Sequence, residues 1–273
     1  MGFLKGAGVL LALAGIGQVP SAKSSASETK TWSFAEFWVV PVRVHLLRAD
    51  KGSGAGTKLT PTDVERIFRK VNTIWHVGGV HFWVESVVDE KAVSTPKNDH
   101  TVIFLPNLAD LRPPESLAAG MFHVYYIKTM VPNGLYMQAD AIFVKETTQL
   151  RTVPGGIDEP LPRVTSHELG HGMGLQHRQN LTNLMASGTT GTGLNAEEVE
   201  TVRNTLATFA WASSPETFFK ATEALITAGK KSEALLRYRS LLTIPGESPL
   251  KAAIQTRLKS ADTKQETKKP KLN

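Results

Sequence analysis

The run His167-Glu168-Leu169-Gly170-His171-Gly172-Met173-Gly174-Leu175-Gln176-His177 holds three imidazoles and a carboxylate in eleven residues. His167 and His171 are four apart. On an α-helix that spacing is a rise of about 6 Å and a rotation of about 400°, so both rings leave the same face. Two such nitrogens can reach one Zn²⁺ at about 2.0–2.1 Å each. Glu168, next to the first ligand, is placed to hold a water at that metal and take its proton. Gly174 can adopt φ > 0, stop the helix and swing the chain back so that His177 supplies a third ligand. Three histidines leave a fourth position open, as a catalytic zinc site requires. The rival reading, two histidines on a wet helix face and a third in a loop, leaves the offsets of Gly174 and His177 to coincidence.

The run matches H-E-x-x-H-x-x-G-x-x-H at every fixed position, and in this the chain resembles the metzincin zinc metalloproteases. The resemblance implies one catalytic Zn²⁺ on His167, His171 and His177, with Glu168 as general base. It implies an α+β fold: a twisted mixed sheet with an antiparallel edge strand, packed on two long helices beside a zinc cleft. It also implies a methionine in a tight turn beneath the metal. Met185, in Asn183-Leu184-Met185-Ala186, stands eight residues after His177, a spacing similar to matrix-metalloprotease-like members. Met173, inside the motif, reads as a core side chain. Substrate would be a peptide or protein lying extended along the edge strand. By its place in the order, Leu135 to Val144 is the candidate for that strand.

The likeness has limits. Ala186-Ser187-Gly188-Thr189 stands where the matrix metalloproteases carry a Pro-x-Tyr segment, so the shape of that specificity pocket does not carry over. No tyrosine follows Met185 closely, which argues against an astacin-type further ligand. His45, His76, His81, His100 and His123 lack a spacing for a second metal site and read as structural. No acidic run suits calcium, and the sequence leaves a calcium site built from backbone carbonyls open but unsupported.

The elements that must position the motif are legible in outline. Phe37 to Leu47 reads as a strand, with Pro41 pointing to an edge or a bulge. Thr60 or Thr62 caps a helix in which Val64, Ile67, Phe68, Val71, Ile74 and Trp75 form one apolar face. Gly78-Gly79 ends it, and strands are expected over Val80 to Val88, Thr101 to Leu105, Gly120 to Met130 and Leu135 to Glu146. After a Pro- and Gly-containing loop, Val164 to Gly172 is the motif helix. Asn195 caps a further helix with Val199, Val202 and Leu206 buried. From Ser213 the pattern becomes helical: Pro215 to Ala228, Ser232 to Leu242 and Pro249 to Leu258. Part of this stretch resembles a single tetratricopeptide repeat, which cannot bury its own face. The preferred reading packs it on the catalytic domain, and the other docks a protein partner there.

The chain of 273 residues carries a net charge of +6, but seven basic and two acidic residues between Lys251 and Asn273 supply +5 of it. The body is nearly neutral, so nucleic acid is not an expected partner, and the tail reads as solvated and disordered. With no cysteine, disulfides, thiolate ligands and a cysteine nucleophile are excluded. Lys5 followed by the uncharged run Gly6 to Val19 reads as an export signal, too short to span a bilayer, with cleavage after Ala26 or Ala22. The expected organisation is a signal peptide (1–26), a short linker (27–33), a metzincin-like catalytic domain (34–212), a helical extension (213–259) and a basic tail (260–273). The expectation is a secreted or periplasmic zinc endopeptidase. The competing readings are an amidase acting on cell-wall or other non-protein amides, and a non-catalytic zinc-containing binding module.

Overall fold

The computed structural model describes residues 30–93, 100–104, 107–137 and 141–266, with side chains to residue 260. The proposed export signal therefore lies outside the described residues. The architecture is mixed α and β, with a five-stranded sheet in the order β2-β1-β3-β5-β4. The strands are β1 (Trp38–Arg48), β2 (Val80–Lys91), β3 (Phe122–Ile127), β4 (Gly134–Met137) and β5 (Ala141–Lys145). All neighbours are parallel except β4, which runs antiparallel to β5 at the sheet edge.

Six helices accompany the sheet: α1 (Pro61–Trp75), α2 (Pro160–Gly172), α3 (Ala196–Thr208), α4 (Pro215–Thr227), α5 (Lys231–Leu242) and α6 (Pro249–Glu266). α1 begins in a capping box, with Thr60 and Asp63 each serving the other's backbone N–H, and Pro61 sits where a missing donor costs nothing. Its six buried residues are the apolar face read from the sequence. Side chains alternate across a strand, so Val40, Val42, Val44 and Leu46 of β1 face one way and pack with α1, α2 and Val202 and Leu206 of α3. This is the largest apolar cluster, and the motif helix is part of it. α2 is buried nearly all round, from Leu161 to Gly170.

Several expectations are corrected. Leu135 to Glu146 is not one strand but the antiparallel pair β4 and β5, and of these two only β4 lies at the sheet edge. Thr101 to Leu105 contributes only an isolated bridge from Ile103 to Met130, with Leu105 outside the described residues. Pro41 lies on an interior strand, and the irregularity falls just after it, where Val42 pairs Val84 and Arg43 pairs Ser86. Its missing N–H is tolerated because β3 begins pairing only at Val42. Val199 is only partly buried, and Glu198 is buried in its place. α6 runs to Glu266, so the first part of the expected tail is helical. Trp32, expected in a linker, is 9% exposed and packs with Phe34, Phe37, Val39 and Trp83.

Candidate metal centre and active site

α2 carries His167 and His171 one turn apart, and the chain after it is turned by Gly174, whose φ is +90°. The Gly174 N–H reaches the His171 carbonyl (3.0 Å) and the Leu175 N–H reaches that of Gly170 (2.9 Å), which closes the helix end. The turn brings His177 back over the helix. His171 Nε2 then lies 3.2 Å from His167 Nε2 and 3.1 Å from His177 Nε2. Ligand nitrogens at about 2.0–2.1 Å from one tetrahedral ion stand about 3.3 Å apart, so the spacing is that of a metal site. Among the described residues this is the group of three or more candidate ligands able to share an ion.

The protonation of two rings follows from their partners. His167 Nδ1 lies 2.8 Å from the Leu184 carbonyl, and His171 Nδ1 lies 2.8 Å from the Leu175 carbonyl. A carbonyl can only accept, so each Nδ1 carries the proton and each Nε2 presents a lone pair to the shared point; at His167 the carbonyl is nearer to Nδ1 than the Arg163 Nη1 at 3.2 Å. Burial pushes the His167 pKa down to about 3 and lowers that of His171, which keeps both rings neutral. Neutral imidazoles with free, converging nitrogens fit a divalent metal of the zinc type.

Glu168 is 6% exposed and points toward the edge strand. Burial pushes its pKa up to about 7, opposed by the Tyr136 N–H, which donates to the carboxylate, and by the Arg163 guanidinium. The Asn133 carbonyl accepts the Lys145 N–H (2.9 Å), so by alternation the polar backbone groups of Gly134 and Tyr136 face the open edge of β4. The carboxylate therefore sits against the strand edge. Gly134 permits this, since a Cβ there would stand 2.5 Å from Glu168 Oε1. A cleft of about 370 Å³ opens here, lined by Gly134, Tyr136, Glu168, His171, Leu175 and His177.

The loop from Leu184 to Gly193 passes beneath the helix. Met185 is fully buried, and its Sδ would stand 2.8 Å from a Cβ added at Gly170. Met173 is buried in the main core. Arg163, 2% exposed and one helical turn before His167, is not among the residues that the sequence singles out. No residue type marks it as buried, because its partners are backbone carbonyls. Gly134 and Tyr136, whose roles depend on the strand edge lying against α2, are not singled out for the site either.

The remaining histidines are placed elsewhere. His45 Nδ1 lies 2.6 Å from Glu90 Oε1, His45 Nε2 lies 2.8 Å from His123 Nδ1, and His123 Nε2 lies 2.7 Å from the Ala118 carbonyl. His81 connects His76 (3.3 Å) to the Ser240 hydroxyl on α5 (2.9 Å). His100 is exposed.

No protein-family model matches the chain, and the comparison with curated proteins returned no match. Among solved structures, mirolysin in complex with a compound is similar at a TM-score of 0.44 and 10% identity, over 62% of this chain and 91% of that one. Metalloproteinase-II from Bacteroides fragilis is similar at 0.40 and 13%, over 64% of this chain and 55% of its own. A zinc-dependent peptidase from Methanocorpusculum labreanum is similar at 0.30 and 11%, over 60% and 98%. Scores this low support no conclusion about the chemistry of this chain.

Proposed function

We propose that the chain is an exported zinc-dependent endopeptidase that hydrolyses peptide bonds with Glu168 as general base. The observation that carries this reading is the convergence of three Nε2 atoms, two with their tautomers set by Nδ1 donation to carbonyls, beside a buried carboxylate. Zn²⁺ held by His167, His171 and His177 would supply a Lewis acid that acidifies a water and stabilises the oxyanion of the tetrahedral intermediate.

The chain's own residues do the rest. Glu168, with a pKa raised toward neutrality by burial, takes a proton from the attacking water and returns it to the departing amine. The open edge of β4 offers the carbonyls of Gly134 and Tyr136 to an extended peptide, which supports a substrate lying along the strand. Met185 and the loop around it form the floor under the ligand helix. Export rests on the sequence of residues 1–26.

Glu168→Gln tests the mechanism. The variant is expected to keep its zinc while cleavage of a mixed-peptide library falls by about 10²–10⁴-fold. Cleavage that survives the change would remove Glu168 from the mechanism. Hydrolysis of cell-wall material but not of the library by the wild type would replace the endopeptidase reading with the amidase one.

A further inference from the structure

Arg163 is the charged residue among the largest fully buried side chains, and it makes no ion pair among the described residues. A buried cation with no carboxylate in contact is costly even with the Glu168 charge acting on it from farther off, and an apolar chain of the same length would fill the space without that cost. The placement of its guanidinium shows what the charge secures. Nε donates to the Gly191 carbonyl (3.1 Å), Nη2 donates to the Ala186 carbonyl, and Nη1 lies 3.2 Å from His167 Nδ1.

Both carbonyls belong to the loop that supplies Leu184. The Leu184 carbonyl, the nearer partner at 2.8 Å, receives the His167 Nδ1 proton, which leaves the Arg163 Nη1 at 3.2 Å without an acceptor on that nitrogen. The planar fork of an arginine can span two carbonyls in fixed geometry, which lysine cannot reproduce. Arg163 thus fixes the loop at Ala186 and Gly191, on the far side of Leu184 from the helix end. The loop in turn fixes the ring of His167.

We infer that Arg163 is a positioning residue for the metal: it clamps the loop from Leu184 to Gly193 to α2 so that the Leu184 carbonyl holds His167 with Nε2 toward the ion. The inference rests on the three-histidine reading above and adds a fourth, non-ligating residue to it. Partners that orient a ligand are typically worth about 10–100-fold in metal affinity.

The test uses the full chain and reads the metal directly, by chelator competition for Zn²⁺ and by the visible spectrum of the Co²⁺-loaded protein. Arg163→Met is expected to weaken Zn²⁺ binding by about 10–100-fold and to alter the Co²⁺ bands, with the fold retained by circular dichroism. Arg163→Lys, which keeps the charge but not the fork, is expected to restore less than half of the lost affinity on a logarithmic scale. It carries the test if the methionine variant does not fold. Ile67→Val, a core change on α1, calibrates what lowered stability alone does to Zn²⁺ affinity. Wild-type affinity and spectrum in both Arg163 variants, with only the melting temperature reduced, would make the residue structural and overturn the inference. His167→Ala is measured in parallel. If it binds Zn²⁺ as the wild type does, the ligand assignment itself fails, a result distinct from the failure of Arg163.

Discussion

The buried row that begins at Glu90 and ends at the Ala118 carbonyl shows how a count of protons can decide a charge state. With His123 Nε2 donating to the Ala118 carbonyl (2.7 Å), a shorter contact than that from the Ala118 N–H (3.4 Å), three hydrogen bonds in series need three protons, and two neutral imidazoles bring only two. The third belongs either to Glu90 or to His45 as an imidazolium. Burial drives the His45 pKa down to about 3, helped by His123, Arg43 and Arg112, and burial raises that of Glu90, with Ser116 and Arg43 opposing and Glu115 adding to the rise. Both shifts favour the proton on Glu90. A carboxyl whose folded pKa is raised contributes stability that is present below its unfolded value and lost as pH rises through the folded one. Glu90→Gln supplies an N–H to His45 at every pH. It should hold its melting temperature where the wild type declines as pH rises above the ordinary carboxylate range, while Glu90→Ala should lose about 1–3 kcal/mol by stranding His45. Parallel pH profiles for the wild type and the glutamine variant would return the proton to His45.

At the scale of elements, the chemistry depends on how closely β4 lies on α2. A Cβ at position 134 would stand 2.5 Å from Glu168 Oε1 and 2.6 Å from Val164 Cγ1. Gly134→Ala must therefore move the strand or the base, at about 1–3 kcal/mol of overpacking. The expected outcome is a fall in kcat with zinc content unchanged, measured by metal analysis and peptide turnover on the same preparation. Full turnover would mean that Glu168 works from a position away from the strand. None of this contact was legible in the sequence, because it joins residues thirty or more apart. The ligand run was legible because helical spacing and one glycine turn are local facts. α1 was legible for the same reason, its apolar period continuing unbroken from Val64 to Trp75. β4 and β5 merged into one expected strand because Leu135 to Lys145 contains no glycine, proline or asparagine to mark a turn. Arg163 was illegible as a buried residue, since its partners are backbone carbonyls and carbonyls leave no trace in residue types.

For the whole molecule, the open question is whether the helices after Ser213 are a separable module or part of one folding unit. Their apolar face does not stand alone. Phe218, Ala234, Tyr238, Leu241, Ile244 and Ile254 form one cluster with Trp32, Phe34, Phe37, Val39 and Trp83. The Phe218 ring meets Trp83 edge-on at 5.0 Å, and Arg237 stacks over Trp83 at 4.5 Å. Val39 also exchanges backbone hydrogen bonds with Ser213 (2.8 and 3.1 Å), so the chain enters α4 directly from β1's flank. Truncating one buried phenylalanine costs about 3–5 kcal/mol, and a whole domain holds only about 5–15 kcal/mol of net stability. Ending the chain at Ala212 would expose Phe34, Phe37, Val39 and Trp83 together, more than that margin allows. The truncated chain is expected to be unfolded or aggregated and to lose Zn²⁺ binding, whereas the full chain should unfold in one urea transition in which far-ultraviolet circular dichroism and metal release coincide. A truncated chain that folded and kept its metal would show that the helices only rest on the sheet, and would return them to the role of a docking module for a protein partner.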